Sequence, residues 1–261
     1  YAAEHHAQII NLSLGGRTLT KVEQLAVDHA RSMGAIVVVA AGNSGQSVAD
    51  FSLAGLRGVI TVTATDRKDR RAGFSNWGPL VDIAAPGVDV LSLRARRTDL
   101  LSLIRGVKYK RGDGILGEDQ SYYRASGTSF ATPIVTGTIS ELLGRNPKLT
   151  SEQATRMVLH SARDIETPGV DNYTGYGLLD ATAALSADPD YFNESRISGV
   201  EVVTRNGKPV LRVMGTSDAD DFKEAVIRLG KGADPKKWLE VNRKIAKPVT
   251  AGTLIELPAG V

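Results

Sequence analysis

The chain of 261 residues has no cysteine. That excludes disulfides, thiolate catalysis and cysteine-ligated zinc, and it leaves the redox compartment open. No run of eighteen apolar residues occurs, so no helical membrane span is expected. Charge of either sign is nearly balanced: 32 Lys and Arg stand against 29 Asp and Glu. A surplus of +3 points to neither nucleic acid nor a membrane surface. Walker A and dinucleotide fingerprints are absent, as are an S-x-x-K motif, internal repeats and low-complexity tracts. No signal-peptide pattern opens the chain. It starts at Tyr1 almost directly in a strand and stops at "ELPAGV", which reads as a fragment at both ends.

What is present has the composition of an ordinary soluble domain, 42% hydrophobic and 23% charged. "AQIINLS" (7–13), "AIVVVAA" (35–41), "GVITVTA" (58–64) and "VDIAAPG" (81–87) read as buried strands. Between the first two, residues 20–33 place Val22, Leu25, Ala26, His29 and Met33 on one helical stripe. Strand, helix and strand with short connections imply right-handed parallel crossovers and an α/β layer fold. After Ser129 the pattern is helical, with Pro133 expected in the first turn. Thr150 and Gln153 form a capping-box signature before a second helix, and "LLDATAALSA" (178–187) reads as a third.

Two regions differ from this body. Residues 94–124 hold eight Lys and Arg against four Asp and Glu and lack periodicity, which predicts a long basic loop. It is read either as a solvated surface loop or as a rim element favouring acidic substrates or docking a partner. From about Ser195 short alternating segments ("GVEVV", "PVLRVMG", "EAVIRLG", "GTLIEL") predict an antiparallel β-module. The domain reading is therefore 1–190 with a basic insertion, followed by 195–261.

Three short segments carry chemistry. "NLSLGG" (11–16) follows the first strand, "AAGNSG" (40–45) follows the second, and "ASGTSFATP" (125–133) opens the first long helix. Ligands bind past the carboxyl ends of parallel strands, so the three can meet on one rim. Ser129 at a helix start lies near free backbone N–H groups and the positive end of the dipole. Asn43 offers a side-chain amide donor to the same oxyanion. Each segment alone is equally readable as a turn or a helix cap.

The chain resembles the subtilisin-like serine proteases. "IINLSLGG", "GAIVVVAAGNSG", "GVITVTATD", "FSNWG", "VDIAAPGVDVLSL", "GTSFATPIVTG" and "GYGLLDATAAL" match successive blocks of that family over residues 7–187, apart from the basic loop. The resemblance implies a three-layer parallel-sheet α/β fold lacking its N-terminal part, followed by a small C-terminal antiparallel β-module. It implies Ser129 as the nucleophile and Asn43 as the oxyanion-hole side chain. Ser13, Leu14 and Gly15 would pair with substrate main chain, and Ala40, Ala41 and Gly42 would wall the pocket for the residue before the cleaved bond. The substrate is then a peptide or protein. The residues after Ser195 resemble a partial fibronectin-III-like module of accessory role.

The family's chain order is Asp, His, Ser. Segments resembling D-[ST]-G and H-G-T-H do not occur here, and His5, His6, His29 and His160 fit neither. A hydroxyl without a base is a poor nucleophile at neutral pH. The expectation is an endopeptidase whose Asp and His lie upstream, with this chain inactive alone and an apolar sheet edge beside "AQIINLS" left open. The alternative is a catalytically dead domain used for binding or scaffolding. "DFSLAG" (50–55) lacks the proline usual in the family, which leaves the pocket's preference unassigned. The resemblance alone implies an extracellular or envelope location. It implies no cofactor and no metal ligand here; calcium loops of the family belong to the full-length parent.

Overall fold

The structure, a computed structural model, describes residues 1–94, 114–116, 121–220, 222–232, 235 and 237–258. Most of the expected basic loop therefore lies outside the described residues. The chain divides into two compact units, Tyr1–Pro189 and Asp190–Val261.

The first unit is built on four parallel strands in the order β1-β2-β3-β4: β1 (Ile9–Leu12), β2 (Ile36–Ala40), β3 (Ile60–Thr65) and β4 (Ile83–Pro86). Alternation along each strand builds a core on either face. Ile36, Val38, Ile60, Val62 and Ala64 point to one side, where α2 (Thr128–Arg145), α3 (Ser151–His160) and α4 (Ala181–Ser186) cover them. Val37 and Val39 point to the other side, onto Val27 and Ala30 of α1 (Lys21–Ser32). That is the three-layer α/β arrangement.

Local chemistry sets the helix ends. Thr20 and Glu23 close a reciprocal capping box at α1, and Thr150 and Gln153 do the same at α3. Two details depart from the sequence reading. The apolar stripe of α1 does not meet the sheet: Val22 and Leu25 are 75% and 59% exposed, and Met33 is also exposed. Val27 and Ala30 make the contact instead, because small side chains let the helix lie close to β2. Pro133 is the sixth residue of α2, one turn further in than expected. Lacking an N–H, it removes the bond that the Ser129 carbonyl would have accepted.

β5 (Val90–Leu93), β6 (Ile115–Leu116) and β7 (Tyr122–Ala125) pair antiparallel in the order β5-β7-β6. The flanks of the expected loop are thus strands, a pairing between distant segments that local periodicity does not reveal.

At the amino ends of the sheet strands a cavity of about 390 Å3 is walled by Asp82, Arg31, Glu152 and Arg156. The Asp82 carboxylate accepts from Thr61 N at 2.7 Å. Burial pushes its pKa up to about 7 against the opposing effect of that bond. The folded state therefore keeps a proton that the unfolded chain gives up near pH 4. Stability falls as pH rises from about 4 to 7, by at most about 1.4 kcal/mol per unit, and is level above. Partial exposure of Asp82 reduces that slope. Asp82→Asn keeps the acceptor for Thr61 without the charge. The expected outcome is a flatter Tm between pH 4 and 7 and a higher Tm at pH 8 than wild type.

The second unit holds a three-stranded sheet, β12-β9-β8, and a two-stranded sheet, β10-β11. Its strands are β8 (Asn193–Arg205), β9 (Lys208–Ala219), β10 (Ala225–Gly230), β11 (Trp238–Ile245) and β12 (Val249–Pro258). The two sheets share a core of Val213, Ile227, Ile245, Ile255 and Leu257. β11 is the strand that alternation missed, since charged residues interrupt its apolar pattern.

Candidate active site

Two carboxyl-terminal strand ends and one helix start converge here. β1 runs into Ser13, β2 runs into the loop carrying Asn43, and Gly127 leads into α2 with Ser129 as its second residue. Ser13 and Ser129 are 116 residues apart and joined reciprocally. Ser13 Oγ donates to Ser129 O at 3.0 Å, and Ser129 Oγ donates to Ser13 O at 3.2 Å. The first bond fills the vacancy that Pro133 leaves on the Ser129 carbonyl. Asn11 Nδ2 donates to Ser13 Oγ at 2.9 Å, and Thr136 Oγ1 donates to Asn11 Oδ1 at 2.8 Å. β1 is thereby tied to α2 by side chains as well as by packing.

Asn43 is oriented by the residue before Ser129. Its Oδ1 accepts from Thr128 N at 2.9 Å and from Thr128 Oγ1 at 3.0 Å. With both donors on the oxygen, the amide orientation is determined and Nδ2 is turned away from Thr128. Among the described residues Nδ2 has no partner. The Thr128 hydroxyl also accepts from Gly42 N at 3.1 Å, so one buried side chain clamps both residues. Sequence reasoning passed over Thr128, treating G-T-S as a unit; its burial and 85-residue separation from Asn43 leave no local signal.

A cleft of about 210 Å3 opens beside these groups. Leu14, Gly15, Ala40, Ala41 and Gly42 line it, and so do Asn43, Thr128 and Ser129. Ser44, Phe51 and Ser52, which the residue pattern does not single out, complete the wall. Ser13 does not line the cleft and instead holds Ser129 from the side. No lining side chain is charged, so the cleft suits an uncharged side chain.

None of the four histidines bonds to Ser129. His5 stacks on Tyr1, and His6 caps a short 3-10 turn in the left-handed conformation. His29 Nε2 lies 3.6 Å from Glu4 on the surface. His160 stacks on Tyr176 in α3, where burial and then the Arg156 charge hold its pKa below the ordinary imidazole value. Among the described residues no cluster of three or more His, Cys, Asp or Glu is placed to hold a metal ion.

Residues 1–177 match the subtilase family. The chain is 36% identical over 186 residues to a thermophilic serine proteinase of Bacillus sp. strain AK1, covering 71% of this chain and 39% of that protein. It is 30% identical over 228 residues to the cell wall-associated protease of Bacillus subtilis strain 168, covering 78% of this chain and 23% of that one. A solved protease from Pseudoalteromonas arctica PAMC 21717 superposes with a TM-score of 0.56 at 30% identity, covering 69% of this chain and 51% of that structure. The chain thus spans well under two thirds of the length of these relatives.

Proposed function

Because the chain belongs to the subtilase family, we propose that it is the C-terminal part of the catalytic domain of a serine endopeptidase. Ser129 Oγ attacks the scissile carbonyl and loses its proton to the triad base. The C–N bond breaks, the amine leaves with that proton, and water hydrolyses the acyl-enzyme to the acid and free Ser129. The oxyanion of each tetrahedral intermediate accepts from Asn43 Nδ2 and from Ser129 N, one of the orphan donors at the start of α2. Substrate main chain adds as a strand beside Ser13, Leu14 and Gly15. The side chain before the cleaved bond enters the cleft walled by Ala40, Ala41 and Gly42. The observation that carries this reading is the Thr128 clamp, which leaves the Asn43 amide donor unpaired beside Ser129.

The base comes from elsewhere. The Ser129 hydroxyl donates to a backbone carbonyl, which cannot take up its proton, and none of the four histidines is hydrogen-bonded to it. We assign the triad Asp and His to an upstream segment of the parent protein, which this chain needs for activity. The same segment would cover the outer edge of β1, the terminal strand of the sheet, and the exposed stripe of Val22, Leu25 and Met33. The isolated chain is accordingly expected to aggregate or melt broadly; a sharp, cooperative melt of a monomer counts against the assignment.

The site acts outside the cell or at its envelope in this reading, a location in keeping with the cell wall-associated relative. The second unit is assigned an accessory role by analogy alone. A serine-reactive phosphonate on the full-length protein tests the whole reading. Labelling that disappears in Ser129→Ala supports it, and a full-length protein that resists the probe is the outcome expected of a catalytically dead scaffold.

A further inference from the structure

The F-S-N-W-G stretch at residues 74–78 enters the resemblance but receives no part in the reaction. Asn76 within it has no exposed surface. Its carboxamide is used at both ends. Nδ2 donates to Ala41 O at 2.8 Å, while Oδ1 accepts from Ser44 N at 3.0 Å and from Gln46 N at 3.1 Å. Its backbone N–H donates to Gly42 O at 2.9 Å. These bonds end on residues either side of Asn43 and none ends on Asn43 itself. The backbone adds Gly45 N to Phe74 O at 2.8 Å and Trp77 N to Gln46 O at 3.0 Å. Gly42 has φ +102, and a Cβ there would run into the Asn76 carboxamide. The loop is therefore shaped around this one amide.

We propose that Asn76 is a positioning residue for the peptidase reaction: it holds the 41–46 loop so that Asn43 presents Nδ2 to the scissile oxygen. The proposal rests on the catalytic reading above. Only a planar amide supplies a donor and two acceptor sites at that reach. Alanine would leave the Ala41 carbonyl and two loop N–H groups without partners, free to draw the loop out of register. A displacement of about 1 Å in such a group costs up to about a hundredfold in rate.

A double-mutant cycle in the full-length protease tests it, reading kcat and KM on one peptide substrate for Asn76→Ala, Asn43→Ala and the pair. Asn76→Ala is expected to lower kcat by about ten- to a hundredfold with KM little changed. The pair should then be no slower than Asn43→Ala, within about twofold. If the two losses multiply, or if Asn76→Ala leaves kcat unchanged, the proposal falls. Should Asn76→Ala not fold, Asn76→Ser serves in its place. Its hydroxyl brings no charge into the buried site and satisfies only part of the three amide bonds, so a smaller loss with the same non-additivity is expected. A protease indifferent to Asn43→Ala defeats the catalytic reading, and this proposal with it. One that loses rate on Asn43→Ala but shows multiplying losses defeats the proposal alone.

Discussion

With Ser129 as the proposed nucleophile, Ser129→Ala in the full-length protein is expected to lower kcat by about a million-fold while leaving KM close to wild type. The size follows from the division of labour. Removing the nucleophile of a subtilisin costs about 2 × 10⁶ in kcat, and what remains comes from the oxyanion hole and substrate binding. The cleft walls and the Asn43 donor do not depend on the Ser129 hydroxyl, so binding survives the change. Ser129 Oγ donates one bond, to Ser13 O, and its loss leaves the Ser13–Ser129 O bond in place. In the isolated chain the same substitution should change nothing on the proposed reading, since among the described residues the hydroxyl bonds only to the Ser13 carbonyl. Progress curves on a chromogenic peptide check both halves. A Ser129-dependent rate from the isolated chain would overturn the assignment of the base to an upstream segment.

The second large effect is at Asn43. Asn43→Ala should lower kcat by about 10²–10³, or about 2.7–4 kcal/mol of barrier, with KM little altered. An oxyanion donor is used more in the transition state than in the ground state, so its loss falls on kcat. Alanine also leaves the Thr128 N–H and hydroxyl without their acceptor, which lowers stability by about 1–2 kcal/mol. Asn43→Asp separates the two roles. It retains an acceptor for Thr128 but replaces the free Nδ2 donor with an oxygen. A kcat as low as that of Asn43→Ala assigns the effect to the donor. Near-wild-type turnover in Asn43→Asp would instead make the Thr128 clamp a purely structural feature.

Much of the fold is legible in the residues because its signals are local. The four sheet strands lie in largely apolar stretches, and their observed ends fall within a few residues of those read from the pattern. The capping box at Thr150, read from the sequence, involves residues three apart, as does the one at Thr20 that the structure adds. The G-T-S and A-A-G-N strings point to Ser129 and Asn43 only in combination and through the family resemblance, since each alone reads as a turn or a helix cap. β11 was missed where its apolar period is broken by charge. The flanks of the basic loop were missed because their strands pair across a long separation.

Side-chain arrangement at the site was a different matter. Thr128 meets Asn43 across 85 residues, Ser13 meets Ser129 across 116, and Asn76 reaches Ala41 across 35. Nothing within a helical turn of any of these residues favours those contacts. They exist because parallel pairing delivers the ends of β1 and β2 to one rim beside the start of α2. The face of α1 that meets the sheet was decided in the same way, by how closely Val27 and Ala30 let the helix approach β2. The order of elements and the chemical type of each candidate group were thus determined by the residues alone, through propensities that act over a few positions. Which oxygen faces which donor was decided only by tertiary packing, because hydrogen bonds act over about 3 Å and the chain must first be folded to bring the partners that near.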